Sequence, residues 1–269
     1  AGKGVVIANH KSEIVDFANR IWNSGEFGKG PHQVVVEDFI PGREVSYIGF
    51  CDGERFIPCA SATDYKRIFD GNEGPNTGGM GVVSPSPYFD SKLKAQIDST
   101  IISPTLAQLK KEDIDYRGIL YVGVMVDKDG NPFVLEYNAR FGDPETQSIL
   151  LRLESDIVPL LLATAEKNLH LHPEPKWSEK TSVYIVASSE GYPAHPRVGD
   201  MISGTQDVSN AQVIFAGVTE KEGFLITSGG RVLGVGALGK SIQEARNTGY
   251  AELKKIHWRG MHYRKDIGL

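Results

Sequence analysis

A carboxylate and an amide side chain stand two residues apart in the stretch VLEYNARFGDPETQ, residues 134–147. Side chains alternate between the faces of a strand, so a strand over residues 133–138 would put Val134, Glu136 and Asn138 on one face. Both polar groups offer hard oxygen donors, and Mg²⁺ commonly takes one or two carboxylates together with substrate phosphates. The pattern predicts either a metal and phosphate site or a charged surface turn.

A turn dense in charge follows this strand. Arg140, Asp143 and Glu145 surround Gly142 and Pro144. Ligand sites in α/β proteins are concentrated in loops that follow strand ends. We therefore interpret the turn as part of the same candidate site.

Two glycine-rich segments could bring backbone N–H groups close to a ligand. AGKG, residues 1–4, precedes the apolar run VVIA, and Lys3 would add positive charge beside a phosphate. It is not a Walker A loop, because a predicted strand follows and no Ser or Thr comes after the lysine; a plain glycine turn is the alternative. PNTGGMG, residues 75–81, is long and mixed enough in composition to favour a ligand loop over a linker.

Charged residues also lie near two other predicted strand ends. Glu37 and Glu44 flank the break at Pro41 and Gly42, where solvated strand ends are the alternative interpretation. The run DYKR, residues 64–67, carries two cations after an acid. Its side chains would either donate to phosphate or form a salt-bridged surface.

Composition limits the classes of protein. The 269 residues include 40% hydrophobic and 23% charged residues, as in ordinary globular proteins, and the formal net charge is −5. With that net negative charge, we expect no broad positively charged surface that would bind nucleic acid. Two cysteines without a CxxC motif fit a reducing cytoplasm, and no apolar run is long enough to span a membrane. Because the chain begins at Ala1 in mid-motif, we expect the natural polypeptide to extend further at its N-terminus.

Periodicity predicts a mixture of helices and short strands. Ser12 is the expected N-cap of the first helix, a break is expected at Pro104, and Asp52–Gly53 is the expected hairpin turn. The strand GILYVGVMV is apolar on both faces, which predicts a central position in its sheet. Helices are predicted over residues 12–22, 88–109, 146–153, 156–167 (buried) and 241–256. Strands are predicted over residues 5–8, 33–36, 45–50, 54–59, 118–126, 133–138, 182–187, 212–216, 223–227 and 231–238.

Several motifs occur in one order along the chain: AGKG, VVVEDFIPGRE, DYKR, PNTGGMG, GILYVGVMVD, LEYNARFGDPETQ, SGGRVLGV and YRKDIG. In that order they closely resemble the phosphoribosylamine–glycine ligases, an ATP-grasp family of purine synthesis. The resemblance runs essentially from Ala1 to Leu269. PNTGGMG together with RFGDPE is the most specific part.

The resemblance implies an α+β fold: an ATP-grasp domain with a mostly antiparallel sheet and helices, followed by a small β-rich C-terminal domain. We expect residues 1–36 to be the remainder of the ATP-grasp lid, residues 37–172 the main ATP-grasp domain and residues 173–269 the C-terminal domain. The composition shift over residues 169–180 marks the second boundary. The family's N-terminal domain would be the partner region that lies outside this sequence.

The resemblance also implies the reaction. Glycine and 5-phosphoribosylamine would be ligated at the expense of ATP, with Mg²⁺ or Mn²⁺, giving glycinamide ribonucleotide, ADP and phosphate through a glycyl phosphate. No nucleic acid or membrane partner is expected, and the location would be cytoplasmic. Two alternatives stay open: another ATP-grasp carboxylate–amine ligase, and a noncatalytic nucleotide-binding piece of a larger purine enzyme. Without the family's N-terminal region, this chain alone is expected to bind ATP poorly.

Roles for individual residues come from the same resemblance. Lys66 and Arg140 would act on the transferring phosphate, and Glu136 and Asn138 would hold the metal. Many ATP-grasp proteins have a second metal carboxylate on the preceding strand, which here carries none, so Glu136 is expected to dominate. The implied ATP contacts are Lys3, Gly4, Glu37, Asp38, Phe39, Ile40 and Glu44, and the implied substrate contacts are Gly78, Gly79, Met80, Asp143 and Glu145.

Overall fold

A computed structural model of the chain describes residues 4–24, 28 and 33–269. Those residues form two compact units divided between Pro41 and Gly42. Among them, no helix has the length and apolar content needed to cross a membrane. The helices are α1 Lys11–Asn23, α2 Ser91–Ile97, α3 Ser103–Lys111, α4 Glu145–Leu150, α5 Val158–Ala165 and α6 Ile242–Leu253. The strands are β1 Gly42–Cys51, β2 Phe56–Pro58, β3 Thr63–Asp64, β4 Arg67–Phe69, β5 Glu73–Asn76, β6 Gly81–Ser84, β7 Gly118–Asp127, β8 Pro132–Asn138, β9 Thr181–Ser188, β10 Gln212–Phe215, β11 Val218–Lys221, β12 Phe224–Thr227 and β13 Arg231–Gly239.

The first unit contains α1 and no strand among its described residues. The predicted N-cap at Ser12 is wrong, because the helix is preceded by His10, which makes no side-chain cap. The strands predicted over residues 5–8 and 33–36 are also wrong. Val5 and Val35 are 65% and 80% exposed, and no described segment pairs with either run. Strand propensity is realised only where a neighbouring strand and a packed face are present.

One antiparallel sheet of the second unit has the strand order β2-β1-β7-β8. β1 and β7 pair along their whole length, from Gly42 opposite Asp127 to Cys51 opposite Gly118. One face of this sheet packs against α2 and α3, and the other packs against α4 and α5. The predicted central position of GILYVGVMV and the hairpin at Asp52–Gly53 are therefore confirmed.

The helix predicted over residues 88–109 is interrupted. A wider π-helical turn, Asp98–Ile102, separates α2 from α3. Pro104 lies in the first turn of α3, where its missing N–H has no intrahelical partner to lose. The helix predicted as buried over residues 156–167 is buried on one side only: Leu160 is 2% exposed, whereas Leu162 is 55% exposed, because a single side of α5 meets the sheet.

A β-bulge in β8 changes the predicted alternation of side chains. Glu136 pairs with Gly123 and Val134 with Val124, so Leu135 is an extra residue without its own partner. Val134 and Tyr137 both line an apolar groove against α3. The prediction that Val134 shares a face with Glu136 and Asn138 is thus wrong, because the bulge shifts the phase of the strand.

A second antiparallel sheet joins the middle of the chain to its C-terminal part. Its order is β10-β13-β9-β6-β3, so β9 pairs with β6 on one side and β13 on the other. Helix α6 packs on this sheet, and an extra strand, β11, forms a ribbon with β12. The boundary expected at residues 172–173 stays a prediction; strands from both sides of it share this sheet.

Candidate functional site

One face of the first sheet changes from apolar to polar along its strands. Directly opposed residues of antiparallel strands share a face, and here Ser46 lies opposite Gly123, which lies opposite Glu136. Further along the same face, Ile48 and Tyr121 belong to the core. The polar end of this face, beginning at Glu44, is where the candidate site residues collect.

Glu136 and Asn138 lie side by side at the end of β8. Asn138 Nδ2 donates to Glu136 Oε1 across 3.2 Å, and the side chain of Glu136 is exposed. A Cβ placed on Gly123 would lie 3.2 Å from Glu136 Cγ, so glycine on the neighbouring strand leaves room for this side chain. The predicted proximity of the two polar groups is confirmed.

This pair fits a divalent cation that also binds phosphate. In the part of the chain that the structure describes, no three His, Cys, Asp or Glu side chains gather in a metal-binding cluster. One carboxylate and one amide oxygen fit Mg²⁺, which keeps water and takes substrate phosphates as further ligands. On β7 the neighbours of Gly123 are Val122 and Val124, both fully buried, so that strand offers no second carboxylate there.

A lysine and a glutamate form an ion pair next to these residues. Lys66 Nζ donates to Glu44 Oε1, and both side chains are largely buried. Burial lowers the pKa of Lys66, but the charges of Glu44, Asp64 and Glu136 outweigh it and hold the pKa above its ordinary value. Lys66 therefore keeps its positive charge throughout the neutral range.

Glu145 begins α4 and is only 3% exposed. Its Oε1 accepts hydrogen bonds from Ser46 Oγ at 2.9 Å and from the Tyr121 hydroxyl at 3.0 Å. Burial and then the charge of Glu145 raise the pKa of Tyr121, so the phenol stays protonated and can donate. These bonds hold the RFGDPE turn against β1 and β7.

Asp64 is a site residue that sequence reasoning missed. Its Oδ1 is shielded from solvent and has no hydrogen-bond partner. Burial, followed by the charge of Glu145, raises the pKa of Asp64 well above its ordinary value. The signal was present in DYKR, since Asp64 and Lys66 are only two residues apart, and the structure shows that each influences the pKa of the other.

The segment PNTGGMG, residues 75–81 and here called the glycine loop, packs directly on the charged turn, residues 140–145. Gly79 has φ +111°, and a Cβ there would come within 2.4 Å of Pro144 Cδ and 2.5 Å of Asp64 Oδ1, so only glycine allows this approach. Gly78 N donates to the hydroxyl of Tyr192 at 3.0 Å. Met80 is fully buried; its N–H donates to Tyr65 O, and its carbonyl accepts from Val186 N in β9, which are the contacts of a core residue.

Arg231, at the start of β13, joins the glycine loop to the turn. Its NH1 donates to Gly78 O at 2.8 Å and to Asp143 O at 3.0 Å, and its NH2 donates to Asp143 Oδ2 at 2.8 Å. Sequence reasoning noted the motif SGGRVLGV around this arginine but assigned it no role. The contact requires two loops distant in sequence to meet, which periodicity does not reveal.

The remaining predicted residues are less constrained. Arg140 is exposed, and its NH1 donates to Phe141 O at 2.8 Å. Residues 37–40 form no regular element; Phe39 is 68% exposed. Gly4 is exposed with φ +92°, and Lys3 lies outside the described residues. Their nucleotide contacts stay predictions.

Comparison with known families gives a context for these residues. The model of the phosphoribosylglycinamide synthetase ATP-grasp (A) domain matches residues 1–146. The model of the phosphoribosylglycinamide synthetase C domain matches residues 182–269. The chain belongs to the phosphoribosylglycinamide synthetase family. The predicted ATP-grasp fold with a C-terminal domain is confirmed.

Curated relatives of the synthetase family are longer than this chain. Phosphoribosylamine–glycine ligase of Vibrio vulnificus is 44% identical over 270 residues, which cover 100% of this chain and 63% of the relative. The protein of the same name from Caulobacter vibrioides is 46% identical and likewise covered to 63%. This chain therefore spans less than two thirds of the length of these synthetases.

Solved structures support the same fold. The crystal structure of phosphoribosylamine–glycine ligase from Thermotoga maritima matches with a TM-score of 0.89 and 36% identity, covering 99% of this chain and 66% of that one. The biotin carboxylase domain of Hydrogenobacter thermophilus 2-oxoglutarate carboxylase matches at a TM-score of 0.66 but only 15% identity, over 97% of this chain and 56% of that chain. The second likeness shows the fold alone.

The Asp64 carboxyl group, whose Oδ1 is shielded from solvent without a hydrogen-bond partner, predicts a pH-dependent cost to stability. A carboxyl group whose pKa is higher in the folded than in the unfolded state contributes to the free energy of unfolding. That contribution is fully present below the unfolded-state pKa and is lost as pH rises through the folded-state pKa. We expect Asp64→Asn to raise the free energy of unfolding relative to the wild type progressively from about pH 4 to pH 8. Urea unfolding across that range measures it. Asp129→Asn, in an exposed turn, is the control and should give a flat difference; a flat difference for Asp64→Asn would contradict the burial of its charge.

Proposed function

We propose that this chain forms the phosphate- and metal-handling part of an enzyme that ligates glycine to 5-phosphoribosylamine with ATP, giving glycinamide ribonucleotide, ADP and phosphate in purine synthesis. The observation that supports it most is the meeting of the Glu136–Asn138 pair and the Lys66–Glu44 pair on one sheet face. The names of the relatives supply the substrates. A cytoplasmic location is part of the proposal.

The chemistry explains why such a site is needed. A carboxylate is a poor acyl donor because the group that leaves would be oxide. One carboxylate oxygen of glycine attacks the γ-phosphorus of ATP, ADP leaves, and a glycyl phosphate results. The amine nitrogen of phosphoribosylamine then attacks the carbonyl carbon, phosphate leaves, and a proton is released from nitrogen. The enzyme must stabilise phosphate charge and keep water from the acyl phosphate.

Three groups would act on the phosphates. Lys66 is held in its charged form by its acidic neighbours and would pair with the transferring phosphate. Glu136 and Asn138 would hold Mg²⁺ or Mn²⁺, which when bound supplies Lewis-acid charge to phosphate oxygens. Arg140, exposed just beyond β8, would add a planar fork of donors matched to phosphate oxygens.

The glycine loop and the turn would bind the substrates. Gly78 and Gly79 would let the backbone of the glycine loop approach the substrate closely. Met80, which is buried, would form the part of the substrate pocket that faces the protein core. Asp143 is half-exposed beside Arg231, and Glu145 is buried against Ser46 and Tyr121. In this proposal Asp143 meets the amine substrate directly, and Glu145 orients it by fixing the turn.

Nucleotide contacts complete the proposal. Backbone groups of residues 37–40, Glu37, Asp38, Phe39 and Ile40, would read the adenine edge, and Glu44 would accept hydrogen bonds from the ribose. Lys3 and Gly4 would contact the phosphates. Since Glu44 also pairs with Lys66, nucleotide binding would redistribute the hydrogen bonds of that ion pair.

A noncatalytic nucleotide-binding role for this chain by itself is the second candidate. The chain spans 63% of the length of the Vibrio vulnificus relative. ADP release that depends on Mg²⁺ and glycine separates the candidates. The assay compares this chain with the same chain extended at its N-terminus to the length of its relatives. ADP release by the extended protein but not by this chain would support a ligase activity of the extended protein and a noncatalytic nucleotide-binding role for this chain by itself.

Replacing Glu136 by Gln tests the metal role. The change removes one negative charge at an exposed strand end, so folding should be unaffected while turnover of the extended protein falls about 100-fold or more. Steady-state ADP formation at saturating Mg²⁺ measures it, and circular dichroism checks the fold. Glu54→Gln, in an exposed hairpin, is the matched control. Turnover of Glu136→Gln within twofold of the wild type would remove Glu136 from the site.

Replacing Arg140 by Lys tests whether its guanidinium makes paired hydrogen bonds to phosphate oxygens. An ammonium keeps the charge but cannot make two parallel hydrogen bonds, so we expect turnover to fall about tenfold or more. The same ADP assay measures it, with Arg259→Lys at an exposed position as the control. Equal kinetics for the two variants would show that Arg140 does not contact the reacting phosphate.

A further inference from the structure

The end of the chain lies against the hairpin that follows Lys66. We call residues 262–268 the tail segment and residues 64–76, which include β4 and β5, the lysine hairpin. Arg264, in the tail segment, has a completely buried side chain. Its NH1 donates to Arg67 O at 3.1 Å and to Asn72 Oδ1 at 3.0 Å, so one guanidinium contacts the first arm of the lysine hairpin and the turn at its tip.

The tail segment holds the residues on either side of Lys66. The Tyr65 hydroxyl accepts a hydrogen bond from Gly268 N at 3.1 Å, and the guanidinium of Arg264 lies 5.1 Å from the centre of the Tyr65 ring. Arg67 on the other side is bound through its carbonyl. The C-terminal end of the chain therefore contacts the side chain of Tyr65 and the carbonyl of Arg67, the two residues that flank Lys66, while the carbonyl of Lys66 itself accepts from Thr77 N.

Asp266 completes this contact. It accepts from Arg264 Nε and NH2, both at 2.7 Å, and from Gly71 N at 2.8 Å. Lys265 N also donates to Asp70 Oδ1 at 2.7 Å. A buried guanidinium is tolerated only when its charge and its donors are satisfied. Asp266 supplies that partner and at the same time binds the tip of the lysine hairpin.

Helix α6 anchors the tail segment in turn. The Tyr250 hydroxyl donates to Arg264 O at 2.7 Å and accepts from Ile267 N at 3.1 Å. Arg246 donates to Lys265 O and to Ile267 O. A continuous set of hydrogen bonds thus runs from α6 through the tail segment to both neighbours of Lys66.

We propose that Arg264, with Asp266, is a positioning residue for Lys66: the C-terminal tail segment sets the direction in which the ammonium of Lys66 presents itself to a phosphate. This rests on the proposed function, because it assumes that Lys66 meets the phosphates of ATP. In this proposal neither residue contacts the substrates. The same domain contains another well-bonded acid, Glu252, which pairs with Lys255 at 2.9 Å and has none of its hydrogen bonds to the lysine hairpin.

The test is a double-mutant cycle on nucleotide binding. The N-terminally extended protein is prepared as wild type, Asp266→Asn, Lys66→Met and the double variant, and the dissociation constant of Mg–ATP is measured by titration calorimetry. If Asp266 acts through Lys66, Asp266→Asn weakens binding about tenfold when Lys66 is present and less than about twofold when it is Met. A purely structural role would weaken binding equally in both backgrounds.

Glu252→Gln is the matched control, since it also removes a carboxylate charge from an ion pair, in which the glutamate is buried and Lys255 is partly exposed. Both Glu252→Gln and Asp266→Asn should lower the midpoint of thermal unfolding, but only Asp266→Asn should change the dissociation constant. Equal weakening in both backgrounds, or no weakening by Asp266→Asn, overturns the positioning role. No effect of Lys66→Met alone would instead contradict the proposed role of Lys66, which separates the two failures.

Should Asp266→Asn unfold the extended protein, Tyr250→Phe replaces it in the cycle. That change removes two hydrogen bonds to the tail segment without exposing the buried charge of Arg264. We again expect a weaker effect on Mg–ATP binding in the Lys66→Met background than in the wild type. The weakening by Tyr250→Phe should be smaller than that by Asp266→Asn. Additive effects in this cycle overturn the proposal as well.

Discussion

An excess of negative charge at one end of a sheet face is the constraint on which the site depends. Four carboxylates, Glu44, Asp64, Glu136 and Glu145, lie near two basic side chains, Lys66 and Arg231. Burial, followed by the like charge of Glu145, raises the pKa of Asp64 within this group. A divalent cation would neutralise the excess, and it would also bring phosphate to a surface that otherwise repels anions.

The fold creates this arrangement through backbone pairing and close packing. The full-length pairing of β1 with β7 puts Glu44 and Ser46 on the same face as Gly123, and the pairing of β7 with β8 adds Glu136. Glycine at position 79 lets a distant loop pack against the charged turn, and Arg231 joins the two. The site is therefore assembled from both sheets of the second unit.

Local patterns in the sequence predicted the features that depend on neighbouring residues in the chain, such as strand positions and the faces of nearby side chains. Alternation and β-branched residues predicted β1, β2, β7 to β10, β12 and β13, and the spacing of Glu136 and Asn138 correctly predicted their proximity. The short strands β3 to β6 and β11 were not predicted, because they consist of only two to four residues. The same signals failed at residues 5–8 and 33–36, because a strand needs a partner and none is found among the described residues. The bulge at Leu135 also escaped prediction, since it depends on the register with β7 and not on the sequence of β8 alone.

Contacts between distant segments were beyond sequence reasoning for a different reason. Arg231 is 88 residues from Asp143, and Arg264 is 197 residues from Arg67, so neither contact has a periodic signal. Asp64 was visible as an acid beside two cations, but its importance depends on burial next to Glu145. Motif order located the site, whereas its electrostatics came only from the three-dimensional structure.

The position of the metal tests the central claim most directly. Crystals of the N-terminally extended protein grown with ADP and Mn²⁺ can be measured at a wavelength where manganese scatters anomalously. An anomalous peak within coordination distance of a Glu136 carboxylate oxygen and the Asn138 amide oxygen, in contact with a phosphate of ADP, is the predicted result. Bound ADP with its manganese peak away from both side chains would contradict it.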